Sequence, residues 1–536
     1  MGKYAYKKAP PSGTIVKTIP HSRKGTRWKV LGVLFIIIAP ASFACYVLSC
    51  LESLGQFGSY LGSEPVDYGS LIPADYTKLA GMARGFEYYL ERDNFPLNYT
   101  LSTIWNRNFT AINDYAVSFD AAIWTGMTLA MASFKYAVAK RGGNATEIEN
   151  ATRLVRKMAD GVSLLLAVPN GGIGPDYPGI LARSVSPKHW NSSHPPIDGY
   201  PYGSDADHVD VFDGAGPYSD WFWIGYPSID QYSGIIMGVT TALAIVDDPL
   251  VHGLMVLLAR QMVEHFKRTN WYLVDGNGRT TGQSLHYMVE HPGYWLLATL
   301  FMGTLADPVA YRDLYYHWAI DRGYATFDML RSDFRMFTVF NYFSMNINWV
   351  ILYAMATFET DAALRGQYQR AMAECLYPLA ANHRNAWFNM AYLHVMGVND
   401  SRIQQDVNDQ LMRFGIERIP GQPNSTRLPE RGLNASGNYY RHLVSDTWPR
   451  TTFSSWLEAN PLFPQQNVNL AALLLDETEY LAKPKTVDQF HSVDFLWQRT
   501  PYTASDYSPA RRQDSGLAFL LPYWMGRFHG SIPGGL

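Results

Sequence analysis

The sequence predicts a mainly α protein, its long helices joined in hairpins that close into a ring or stack as a solenoid, behind a single N-terminal transmembrane helix. Three observations carry this. Apolar runs of helical period recur along the chain with short breaks, whereas strand signals are few. Two of these runs share one plan. Asp120-Ala-Ala-Ile-Trp-Thr-Gly126 opens an apolar run, and Asp230, just after Pro227-Ser228, opens another that carries Gly234 and Gly238 four apart on one face. An acid-headed, glycine-bearing helix that occurs twice suggests a repeated hairpin, with the glycines admitting a second backbone. Third, the 22 residues from Val30 to Leu51 hold no charge and are long enough to cross a bilayer.

Taken in order, residues 1–29 read as a basic cytoplasmic tail, 30–51 as the membrane helix, 52–74 as a Gly/Ser/Pro linker and 75–536 as one ectodomain. Residues 1–51 contain eight Lys or Arg and no Asp or Glu. The positive-inside rule therefore keeps the N-terminus in the cytoplasm and sends the rest outside. A cleaved signal sequence is the rival, against which the 29-residue basic leader is long. Beyond the segment lie eight N-x-[ST] sequons, at Asn98, Asn108, Asn144, Asn150, Asn191, Asn399, Asn424 and Asn434, consistent with a glycosylated ectodomain. Cys375 is alone there, which excludes an intrachain disulfide framework and a Cys-based zinc site. A net charge of −3 gives no field that would draw nucleic acid.

Helices are expected at 75–91, 119–140, 146–167, 230–246, 249–268, 283–303, 308–321, 337–357, 361–378, 385–396, 401–413 and 466–481. Trp271-Tyr-Leu-Val274 running into Asp275-Gly-Asn-Gly278 is the clearest strand-and-turn signal. Long inserts, 168–229 and 414–465, are rich in Gly, Pro, Asp and aromatics, and such loops are where function gathers.

Asp120-Ala-Ala-Ile-Trp-Thr-Gly, Asp230-Gln-Tyr-Ser-Gly-Ile-Ile-Met-Gly and Leu273-Val-Asp-Gly-Asn-Gly-Arg-Thr-Thr-Gly282 resemble the (α/α)6-toroid, or six-hairpin, superfamily of glycoside hydrolases and polysaccharide lyases. The segments Asp494–Tyr502 and Leu521–Gly526 are similar to exported members of that fold. The resemblance implies a sugar-facing cleft where the inner helices begin, and it transfers no catalytic pair.

Glycoside hydrolysis needs two carboxylates, one to protonate the leaving group and one to attack or to activate water. A ring would bring Asp120 and Asp230 to one rim, although an Asp at a helix start is also the preferred N-cap. Ser204–Gly214 crowds Asp205, Asp207, His208, Asp210 and Asp213, which suits either a hard cation such as Ca2+ or a carboxyl with a raised pKa. No cofactor is otherwise expected. His286 and Glu290 are four apart on an expected helix, with Tyr287 on the adjacent stripe. Asn341, Ser344 and Asn348 form one polar stripe, and Asn385, Asn389 and Tyr392 another; both are candidates to line a polar cavity. Tyr232, Trp223, Tyr440, Arg441, Trp497 and Arg499 are candidate stacking and clamping residues. The expected function is a membrane-anchored carbohydrate-active protein, foremost a glycoside hydrolase. The alternatives are a polysaccharide lyase with a Tyr or His base, a non-catalytic glycan-binding or scaffold protein, and a toroid enzyme for a small apolar substrate.

Overall fold

The computed structural model describes residues 65–202, 210–288, 291–330, 342–414, 486–487 and 512–534. The expected membrane segment 30–51 and the expected helix 466–481 lie outside these residues. Among the described residues no helix is long and apolar enough to cross a membrane.

The chain is mainly helical. Counting prolonged helices once, the described residues contain α1 (Tyr76–Asp93), α2 (Ala121–Gly142), α3 (Ala145–Asn170), α4 (Ile229–Ile245), α5 (Pro249–Arg268) and α6 (Tyr294–Ala306). There follow α7 (Pro308–Tyr316, prolonged by His317–Asp321), α8 (Tyr342–Phe358) and α9 (Ala362–Ala371, prolonged by Met372–Leu376 and Tyr377–Ala380). The last three are α10 (Ala386–Met396), α11 (Ser401–Met412) and α12 (Leu517–His529).

Two kinds of helix alternate, and their sequences say why. The even-numbered helices are apolar around most of their circumference; in α4 every residue from Gln231 to Leu243 is buried. A helix apolar on all sides needs neighbours on all sides. Each even helix packs on the next, α2 on α4, α4 on α6, α6 on α8, α8 on α10, α10 on α12, and α12 returns to α2. The odd helices are more amphipathic and lie against them, α3 on α2, α5 on α4, α7 on α6, α9 on α8, α11 on α10 and α1 on α12. α4 also packs directly against α8, so apolar side chains fill the hub.

Every odd helix starts on an Asx side chain that accepts a first-turn backbone N–H. The acceptors are Asp75 (2.9 Å), Asn144 (3.2 Å), Asp248 (3.1 Å), Asp307 (3.1 Å), Asp361 (2.9 Å) and Asp400 (2.9 Å). Such caps contribute about 0.5–2 kcal/mol each. The first and last described helices, α1 and α12, are tied to α2: buried Lys135 lies 2.9 Å from Glu87, whose other oxygen accepts the Trp524 indole N–H at 2.7 Å.

Short strands fill the connections that lead from odd to even helices. β1 (Ser102–Trp105) pairs with β2 (Ile112–Ala116), and β3 (Ser184–Pro187) and β4 (Val211–Asp213) flank β5 (Trp221–Ile224), all antiparallel. β6 (Tyr272–Val274) and β7 (Thr280–Ser284) form the expected hairpin, with Gly278 in the left-handed region at its turn. β8 (His286–Met288) pairs with β9 (His291–Pro292), and β10 (Arg512–Gln513) adds to β1.

The helix expected at 283–303 is a correction: its first part is strand, and α6 begins only at Tyr294. Thr280-Thr281-Gly282 favours an extended chain, Gly282 has φ +82°, and Pro292 blocks an earlier helix start. The twelfth described helix is Leu517–His529, which the sequence reading omitted because Pro522 interrupts its run.

Candidate functional site

The crossing of α2 and α4 positions the central pair. A Cβ placed on Gly126 would lie 2.1 Å from the Gly234 carbonyl oxygen, and one on Gly238 would lie 2.2 Å from the Gly126 oxygen. Only glycine at these sites lets the backbones touch, as the four-residue spacing predicted. Two helices in backbone contact bring their N-termini together, and with them Asp120 and Asp230.

Capping does not explain either acid. Asp120 precedes α2 yet makes no side-chain cap hydrogen bond. Asp230 stands one residue inside α4, where Ser228 is the N-cap and Gln231 completes a capping box. Gln231 ties the acids together. Its Nε2 donates to Asp120 Oδ1 at 3.1 Å and to Asp230 Oδ2 at 3.2 Å, while its Oε1 accepts from Ser228 N at 2.9 Å. Ser228 Oγ also donates to Asp230. Gln231 is fully buried, whereas the Asp120 side chain is 49% exposed, so the acids form the wet rim of a fixed base.

Arg183, four residues ahead of the β3 end at Pro187, clamps the two mouths. Its guanidinium donates to Tyr226 O at 2.8 Å, Phe119 O at 2.7 Å and Ser228 Oγ at 3.1 Å, and lies 3.7 Å from Asp120 Oδ1. Gln283 on β7 accepts from Ile229 N at 2.9 Å, which anchors the start of α4 to the hairpin.

The two mouths also share backbone strain. Val117 (φ +69°) and Tyr226 (φ +53°) both sit in the left-handed region, costly for a β-branched or bulky residue. Each is held by a carboxylate. Asp198 accepts from Val117 N at 3.2 Å and Ser118 N at 3.0 Å, and buried Asp275 accepts from Tyr226 N at 2.9 Å. Beside each acid an aromatic ring is presented to solvent, Phe119 at 46% and Tyr226 at 48% exposure. The Tyr226 hydroxyl donates to Thr281 O at 3.1 Å, which fixes its ring.

The other sequence candidates are placed elsewhere. Asp213 pairs with Lys188 at 2.6 Å on β4; the Asp210 carbonyl accepts from Gly225 N at 2.8 Å in the approach to Tyr226. Asp205, Asp207 and His208 lie outside the described residues. Among the described residues no group of three or more His, Cys, Asp or Glu is placed to hold a metal ion. His286 and Tyr287 are on strand β8, so the helical i, i+4 pairing of His286 with Glu290 is corrected; Glu290 itself lies outside.

Four expected substrate contacts are engaged by other parts of the fold. Tyr232 is fully buried with its ring 4.9 Å from Phe266 and its hydroxyl accepting from Leu181 N, and Trp223 is buried against Phe212 with its N–H on Asp213 O. Asn389 donates to Asp406 of α11 at 2.8 Å, and Tyr392 stacks on Tyr377 of the α9 extension at 3.6 Å. That stripe faces an outer helix. Asn348 is buried, and neither of its side-chain polar atoms is hydrogen-bonded among the described residues. Asn341, Tyr440, Arg441, Trp497 and Arg499 lie outside the described residues.

Of the sequons, Asn108, Asn144, Asn191 and Asn399 are exposed, Asn98 and Asn150 are half-buried, and Asn424 and Asn434 lie outside the described residues. Residues missed by sequence reasoning are Arg183, Gln231, Ser228, Gln283, Phe119 and Tyr226. The capping pattern Ser228-x-x-Gln231 was the one legible signal among them. No family profile, curated protein or solved structure matches this chain.

Proposed function

We propose that the chain is a glycoside hydrolase built on an (α/α)6 toroid, anchored in a membrane by residues 30–51 with its helical domain outside the cell. The cyclic succession of even helices, each backed by an odd one, supports the toroid. One observation carries the activity: two rim carboxylates on adjacent inner helices share a single amide nitrogen, 3.1 and 3.2 Å away. Oxygens 3.1 and 3.2 Å from one nitrogen are less than about 6.5 Å apart, a bound that includes the separation of about 5–5.5 Å used by retaining enzymes. Asp120, with the Arg183 guanidinium 3.7 Å away, takes the nucleophile's role and Asp230 that of the acid. The outward-facing Asn389 and Tyr392 leave the lyase reading with less support.

The test is the full chain in detergent against a glycan panel, scored for new reducing ends and unsaturated products. Asp120→Asn and Asp230→Asn should each lower turnover by at least about 100-fold, the lower end of a general acid–base contribution. Unsaturated ends, or cleavage that survives both substitutions, would refute the assignment. Alkaline extraction of membranes tests the anchor: loss of residues 1–51 should release the protein.

A further inference from the structure

The carboxylate pair is flanked by two presented rings, and together these features define what the site accepts. We infer that Phe119 and Tyr226 form an aromatic platform for a pyranose ring that bears no negative charge, so that the substrate is a neutral or amino-sugar glycan rather than a uronic or sulfated one. This rests on the hydrolase reading for its chemistry but not for its binding.

The rings are not incidental surface residues. Phe119 immediately precedes Asp120, and Tyr226 lies four residues before Asp230. Their carbonyls converge on one guanidinium, that of Arg183, at 2.7 and 2.8 Å, so their backbones are fixed relative to each other and to the acids. An exposed tyrosine gains nothing in stability from a left-handed backbone, yet Tyr226 is kept there by Asp275, which is 6% exposed, and its hydroxyl is tethered to Thr281 O. Gly199 makes room on the other side: a Cβ there would lie 3.0 Å from the Phe119 ring. A ring held rigid and half bare loses little freedom on stacking. The C–H face of a pyranose is a fitting occupant, since its hydroxyls remain free for Asp120, Asp230 and water.

Charge selects among sugars. Asp120 and Asp230 present two carboxyl groups to the platform. The Arg183 guanidinium beside Asp120 has its N–H groups donated to two carbonyls and a serine hydroxyl, with its side chain only 17% exposed. Lys188 is occupied by Asp213. A carboxylate or sulfate on the ligand would meet the like charge of Asp120 and Asp230, whereas an ammonium would be drawn to both carboxylates.

The experiment titrates the full chain, in detergent, with β-1,4-linked hexasaccharides of glucosamine, N-acetylglucosamine and mannuronic acid, followed by saturation-transfer NMR and calorimetry. Either uncharged or amino hexamer should bind at least 10-fold more tightly than the uronate. Phe119→Ala and Tyr226→Ala should each weaken that binding about 3- to 10-fold, with thermal midpoints unchanged to exclude misfolding. Asp230→Asn separates the two readings: it should abolish cleavage while leaving binding of the uncharged N-acetylglucosamine hexamer within about 3-fold. Binding without any cleavage in the parent protein would refute the hydrolase reading and leave the platform standing. Preference for the uronate, no binding to any hexamer, or binding indifferent to both aromatic substitutions would overturn the platform.

Discussion

Gly126→Ala is the perturbation that reaches furthest, because it acts on the contact that sets the site. The added methyl would sit 2.1 Å from the Gly234 carbonyl oxygen, 2.2 Å from its carbon and 2.5 Å from Ile235 N. Relief to an ordinary contact near 3.5 Å requires α2 and α4 to part by about 1 Å or more, and backbone cannot rotate away as a side chain can. Overpacking of this kind costs about 1–3 kcal/mol or more. The same separation pulls Asp120 from Gln231 Nε2, and a displacement of about 1 Å at reacting groups costs on the order of 100-fold in rate. Gly253→Ala is the matched control: a Cβ there meets nothing within 4 Å inside α5, so ordinary helix propensity should stabilise it by about 0.4–1 kcal/mol. Denaturation followed by circular dichroism, alongside glycan turnover, reads both. If Gly126→Ala matches Gly253→Ala in stability, the backbone contact does not exist and the pairing of the acids falls with it.

Two further outcomes follow from buried charge. Lys135→Met strands the Glu87 carboxylate in the core and should cost about 3–5 kcal/mol, whereas pairing it with Glu87→Gln should recover much of that, since Gln keeps an acceptor for the Trp524 N–H; a single mutant within about 1 kcal/mol of the parent in urea would refute this. Burial lowers His265 to about 4 and His383 and His394 to about 3, against an unfolded value of 6.5. Below pH 6.5 the unfolded chain takes up protons that the folded one refuses. Stability is therefore complete above about pH 7 and falls by about 1.4 kcal/mol per histidine per pH unit below 6.5 until the folded values are reached. Urea midpoints that stay level between pH 7 and 5.5 would contradict it, and His265→Leu should flatten the slope by about a third.

Much of the helical architecture was legible because it rests on local signals. The Asp-Pro pairs at 248–249 and 307–308 and the acids at 361 and 400 mark helix starts by capping, and α5, α9, α10 and α11 begin within a residue of their predicted positions. The approach of α2 to α4 was readable from the spacing of Gly234 and Gly238, which has one physical use. Less legible was anything decided by facing. Asn389 and Tyr392 are polar on an apolar helix whether they line a cavity or meet Asp406 and Tyr377, and periodicity alone cannot tell an inner stripe from an outer one. Arg183 was invisible for a related reason: its partners are two backbone carbonyls 64 and 43 residues away, and carbonyls leave no trace in sequence.

The way the two acids are held separates a site from a scaffold. Were Asp120 and Asp230 present for stability, they would cap α2 and α4, as Asp75, Asp248, Asp307, Asp361 and Asp400 cap the outer helices. Instead Ser228 takes the capping role on α4, Asp120 makes no side-chain cap bond, and both carboxyls crowd one buried amide. Two carboxyl groups so close disfavour a charge on both, a cost that the fold could shed with a single amide substitution. Asp120→Asn should therefore leave stability unchanged or raise it by up to about 1 kcal/mol, because the amide removes the repulsion and can still accept from Gln231. Asp248→Asn makes the contrast. It keeps a cap acceptor but forfeits the charge facing Arg156 at 2.7 Å, and should lose about 0.5–1 kcal/mol at this partly exposed pair. Denaturation of the two variants side by side decides the point: a destabilised Asp120→Asn would make that acid a structural fixture, and the case for chemistry at the rim would lose its footing.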